Sequence, residues 1–284
     1  MSRAGPILLL LAVLVFLASS LAYALAPSPP APAVPGGGDA AALLHGLPSG
    51  RQAVDLPGLF LQPKNPGMMA LLGLTWAALG FHAARRLAKA ERMRQARLSP
   101  LDEASEAPPE VGPPLPRDML QLHGRDDTLQ EHGPLILGLL AGALWPWLLG
   151  AYPLTAFLFS ALMLACFLAA ALRGVREGLL VHRSSALGFV AGWGLLVCFA
   201  AFTSLLRDRL GAPQEVAAVI AMLIGSVAAV SVQLRMPKRI GFSVALIWGL
   251  IGIAANTVTT DAAIATVTVI AIAIIAVALV RVTT

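Results

Sequence analysis

The sequence predicts an all-α protein, a polytopic transmembrane bundle of about eight helices. Three observations predict it. Of the 284 residues, 57% are hydrophobic and only 12% are charged, about half of the roughly 25% that a water-facing domain carries. Mean hydropathy is +0.78. Eight stretches reach or approach the roughly 20 apolar residues that cross a bilayer core. This composition excludes a soluble globule, a nucleic-acid-binding module and a wholly disordered chain. The two cysteines, Cys166 and Cys198, cannot form a disulfide framework. Both lie in apolar runs, where a thiol packs as a small hydrophobe.

The first span is expected over residues 6–26, within an N-terminal anchor of 1–26. A signal peptide is the rival reading, because Ser2-Arg3 precedes an apolar run that ends in Ala24-Leu25-Ala26. Residues 27–66 form a Pro/Gly-rich stretch, which reads as a flexible periplasmic loop. The second span follows at 67–86. Residues 87–132 divide into a basic helical extension, Leu87 to Leu98, and an acidic, proline-rich linker, Ser99 to Pro116. Residues 133–284 hold six more spans: 134–151, 153–172, 185–206, 215–234, 240–257 and 262–281. Pro153 suits the first position of a new helix. Thr260 or Asp261 is a natural N-cap for the last one.

Charge sets the orientation. With the N-terminus in the cytoplasm, sixteen of the twenty Lys and Arg residues fall on the cytoplasmic side. That asymmetry predicts an even number of spans in a bacterial inner membrane, with both termini inside.

The spans carry little polar chemistry. Spans three to eight have no Asp, Glu, Lys, Arg or His in their interiors, which argues against proton pumping or ion-coupled transport. His82 reads as an interfacial histidine near Arg85 and Arg86. The tryptophans are more informative. Trp145 and Trp147 flank Pro146 near a span end, where an aromatic belt and a ligand wall are both open readings. Trp76, Trp193 and Trp248 lie about 12–15 Å into their spans, where core packing and ligand contact are the alternatives. Gly188 and Gly192 in span five, and Gly249 and Gly252 in span seven, mark helix-contact faces. No phosphate loop, zinc signature or nucleophile elbow is present, so neither a catalytic nor a metal set is expected.

The segment Ala143-Leu144-Trp145-Pro146-Trp147-Leu148-Leu149-Gly150, followed by Pro153-Leu154, resembles the Asn-x-x-Trp-Ser-Trp-Leu-Phe-Phe segment of the TspO/MBR family. These are the tryptophan-rich sensory proteins related to the translocator protein. In this chain Gly142 stands at the Asn position. Leu195-Leu196-Val197-Cys198-Phe199-Ala200-Ala201 is similar to the family's Leu-Trp-Val-Ser-Phe-Ala-Thr pattern. Pro66-Gly67 with Trp76 and Gly80 is similar to its first helix. The resemblance implies a five-helix core over spans two to six, with three added helices in a larger eight-span form. It also implies a membrane pocket for porphyrin-like or sterol-like ligands.

The function expected is therefore non-catalytic sensing or binding of a hydrophobic or flat aromatic ligand, such as a tetrapyrrole. Trp76, Trp145, Trp147, Trp193 and Phe199 would line the site. No cofactor is expected beyond such a porphyrin-like ligand. The expected partners are the lipid bilayer, a hydrophobic small molecule and a second copy or larger membrane complex, with no nucleic acid. Two alternatives remain: a small-solute permease without buried charge coupling, and a structural subunit packing through the small-residue faces of spans five and seven.

Overall fold

The computed structural model describes residues 4–27, 54–98, 129–176, 185–235, 240–259 and 261–283. The Pro/Gly-rich stretch 28–53, the acidic linker 99–116, Arg117, Arg125, Arg183, Lys238 and Arg239 lie outside the described residues. Among those described there are nine helices and no strand. They are α1 (Ala4–Leu25), α2 (Leu56–Leu61), α3 (Pro66–Leu98), α4 (Leu129–Leu148), α5 (Pro153–Arg176), α6 (Ser185–Leu210), α7 (Gln214–Arg235), α8 (Ile240–Thr257) and α9 (Ala262–Thr283). Seven are long and apolar enough to cross a membrane. Helix α4 contributes a shorter apolar stretch, His132–Leu148, and carries Pro134 and Pro146 inside the helix.

Local chemistry fixes the helix ends. The Asn65 side chain accepts from the Gly67 N–H at 2.8 Å, just at the start of α3. Helix α5 begins at Pro153, as its sequence predicts. Gly211 adopts φ +63° after α6, a left-handed conformation that a side chain would disfavour. The chain then turns at Pro213 into α7. Asp261 caps α9 by accepting from the Ala263 and Ile264 N–H groups, each at 3.1 Å. Helix α3 is continuous from Pro66 through the basic run to Leu98.

Helix α6 is central. It packs on α5, α8, α7, α3 and α2, and 78% of its apolar window is buried. The remaining long helices surround it in the order α5, α4, α1, α3, α8, α9, α7, each packing on the next. Their outward faces carry exposed Leu, Ile and Val, such as Leu11, Leu14, Val227 and Val277, which suits lipid.

Small residues allow close helix approach inside this bundle. A Cβ on Gly192 of α6 would lie 2.5 Å from the Phe242 carbonyl oxygen of α8, and one on Gly241 would run into the Ser185 backbone. Gly249 faces Leu196 and Phe60, and Gly252 faces Met68 of α3. The Gly192, Gly249 and Gly252 positions of spans five and seven are therefore filled by this chain's own helices.

Helix α2 was not foreseen. The loop expected over 27–66 contains a six-residue helix whose Leu56, Pro57, Phe60 and Leu61 are all buried. Asp55 caps it by accepting from the Gly58 N–H at 3.0 Å.

Candidate functional site

Helices α7 and α8 both pack on α6 and on α9 while meeting each other only slightly. At the Arg235 end they are joined by a buried hydrogen bond, in which the Ser243 hydroxyl donates to Gln233 Oε1 at 2.8 Å. Away from that bond the two helices leave a cavity of about 50 Å³. Its walls are Leu195, Leu196, Phe199, Ala200 and Thr203 of α6, Ala221, Met222, Gly225, Ser226 and Ala229 of α7, Leu246, Leu250 and Ile253 of α8, and Ile275 of α9. Leu56 and Phe60 of α2 complete the lining.

The lining is almost wholly apolar. Its two hydroxyls are turned to their own helices: Thr203 donates to the Phe199 carbonyl at 2.9 Å and Ser226 to that of Met222 at 2.8 Å. Recognition here must come from shape and dispersion, not from charge. The volume matters too. Pockets for drug-sized ligands hold about 300–1,000 Å³, so the cavity as it stands accepts only a small group.

Helix α2 is tied down at both ends. The Val54 N–H donates to Gln214 Oε1 of α7 at 3.0 Å. The Gln62 side-chain amide donates to the Tyr23 and Ala26 carbonyls, at 2.9 and 3.1 Å. These belong to the end of α1, where carbonyls lack helical partners. Gln214 is itself 2% exposed, and its Nε2 has no hydrogen-bond partner among the described residues.

The five residues expected to form one site do not share it. Phe199 lines the cavity, with its ring against Gly225. The tryptophans lie elsewhere, and Trp76, Trp147 and Trp193 contact residues of α1. Trp193 meets Phe16 edge-on at 6.1 Å between centroids. Trp76 donates to Ser20 at 3.3 Å. Trp147 donates to Ser19 at 2.9 Å and stands perpendicular to Tyr23 at 5.3 Å. Trp145 is completely buried, whereas Trp147 is 52% exposed. The first of this pair is thus a core residue, and the second lies on the outer surface of the bundle. The indole N–H groups of Trp145 and Trp193 have no hydrogen-bond partner among the described residues. His82, expected at the interface, is buried, as is His132.

The functional residues that sequence reasoning missed are Leu56, Phe60, Gln62 and Gln214. An available signal was Asp55 placed before Leu56-Pro57, an N-cap followed by proline in the first turn.

A family model described as TSPO-like protein matches residues 123–281, more than half of the chain. The chain belongs to the TSPO-like family. The match begins before α4 and runs through α9. The family region of this TSPO-like protein is thus displaced from the expected spans two to six: the second span, α3, falls outside it and the last two fall inside. The cavity's α6, α7, α8 and α9 walls belong to the matched segment, whereas α2 does not. No curated protein and no solved structure matches the chain.

Proposed function

We propose that this TSPO-like membrane protein binds a hydrophobic or flat aromatic small molecule, with a tetrapyrrole as the leading candidate, and catalyses no reaction. The observation that carries this reading is the apolar cavity between α6, α7, α8 and α9, whose only hydroxyls are already engaged with backbone carbonyls. Phe199, on the α6 wall, would offer a ligand there an aromatic face to stack on. Trp193, six residues earlier on α6, serves as a nearby fluorescent reporter, and Trp76, Trp145 and Trp147 support the α1 side of the bundle. The membrane proposed is a bacterial inner membrane, with the Arg-rich ends of the helices at the cytoplasm.

The test is a titration of the protein in lipid nanodiscs with protoporphyrin IX. Saturable tryptophan quenching with a shifted porphyrin absorption band is expected. Filling the cavity through Ala221→Phe or Gly225→Leu should abolish saturation while leaving the folded bundle intact by gel filtration. Equal binding by the filled variants, or no saturable binding by the native protein, would remove the proposal.

A further inference from the structure

Helix α2 is the one part of the cavity lining that does not belong to a long apolar helix. Six residues are too few to sustain a helix alone, so contacts hold it in place. Its Phe60 ring reaches Gly249, midway along α8, where a Cβ would lie 3.2 Å from the ring. Leu56 and Phe60 are both almost fully buried and both line the cavity. The polar ties flanking the helix are the Val54 bond to Gln214 and the Gln62 bonds to the end of α1.

We propose that α2 is a resident plug: Leu56 and Phe60 fill the mouth of the α6–α9 cavity as tethered stand-ins for a ligand, and ligand entry requires release of the Gln62 and Gln214 ties. The inference rests on reading the cavity as a ligand site. It also names the ligand class. Whatever replaces Leu56 and Phe60 meets alkyl walls and the Phe199 ring, so the part that enters is uncharged and is either aromatic or branched alkyl. With α2 withdrawn, the space now taken by its side chains joins the cavity, and a group larger than the present volume is admitted.

The test reads access to the cavity directly, without needing a ligand. Ser226→Cys is placed on the cavity wall in a Cys166→Ser, Cys198→Ala background, and its alkylation by N-ethylmaleimide is timed in nanodiscs. Gln62→Ala and Gln214→Ala should each speed labelling about tenfold, the change expected for losing an ordinary hydrogen bond that holds the closed arrangement. As a second arm, Val54→Cys with Pro213→Cys, joined by bis-maleimidoethane, fixes α2 and keeps both amide ties, because Val54 contributes only its backbone N–H to the Gln214 bond. Protoporphyrin IX binding should be lost on cross-linking and retained in the uncross-linked pair. Unchanged labelling in the release variants, together with full porphyrin binding by the cross-linked protein, would overturn the plug. If labelling responds as expected while no form binds porphyrin, the plug stands and the proposed ligand reading falls.

Discussion

The Ser243 hydroxyl of α8 donates to Gln233 Oε1 of α7 at 2.8 Å, and both side chains are excluded from the surface. This bond joins two helices that otherwise diverge around the cavity. A buried interhelical hydrogen bond in a membrane protein contributes about 0.6–2 kcal/mol. Ser243→Ala should therefore lower stability by about 1–2 kcal/mol in a denaturation series in mixed micelles, because Gln233 is left with an unpaired amide. The double variant Ser243→Ala, Gln233→Leu removes both partners and should recover most of that loss. A double variant weaker than the single one would show that the bond does not hold α7 to α8.

Helix α1 is locked into the bundle by Ser19, which donates to the Ala143 carbonyl at 2.6 Å and accepts from the Trp147 indole at 2.9 Å. Phe16 sits in the space left by Gly142, where a Cβ would come within 2.8 Å of its ring. Ser19→Ala should cost about 1–2 kcal/mol, with Ser19→Thr restoring much of it. The intact mass of the purified protein should include α1, since a signal peptide's removal would strip the cover from Trp193. A mass lacking α1 would contradict this packing.

The glycines divide sharply by what surrounds them. Gly192→Ala places a methyl group against the Phe242 carbonyl oxygen and should cost about 1–3 kcal/mol by overpacking. Gly73 of α3 has nothing within 4 Å of where a Cβ would lie, so Gly73→Ala should gain about 0.5–1 kcal/mol through helix propensity. Thermal unfolding of the two variants in one detergent checks both signs.

Trp193 supplies a large packed ring and an indole N–H that lacks a partner among the described residues. Trp193→Phe keeps most of the ring and removes the orphaned donor, so it should stay within about 1 kcal/mol of the native stability. Trp193→Ala empties the contact with Phe16 and should cost about 3–5 kcal/mol. Similar losses for both variants would mean that the N–H, not the ring, is what the site requires.

Span positions were legible because hydropathy and helix-end chemistry act locally. Pro153 begins α5 and Asp261 caps α9, both as their sequence contexts require. The family was legible from the Trp145-Pro146-Trp147 and Cys198-Phe199 segments, although its match lies further along the chain than those motifs suggested. The site was far less legible. Trp145 and Trp147 are two residues apart, yet one is sealed and the other meets the surroundings, a distinction made by helix rotation and not by composition. Phe199 and Trp193 share α6 but turn toward different neighbours, α7 and α1. The α2 segment was hidden because the prolines and glycines of 27–38 dominate the character of the whole loop, while its burial depends on partners as distant as Gln214 and Gly249.

The enclosure of α6 on nearly every side has a consequence for biogenesis. Synthesis delivers α6 to the bilayer before α7, α8 and α9 exist, so its glycine-bearing face for α8 first meets acyl chains. The final arrangement is attainable only after the last quarter of the polypeptide has been inserted. Chains halted near Leu210 should accumulate as loosely assembled intermediates open to membrane proteases, which makes the timing of C-terminal insertion the step on which yield depends.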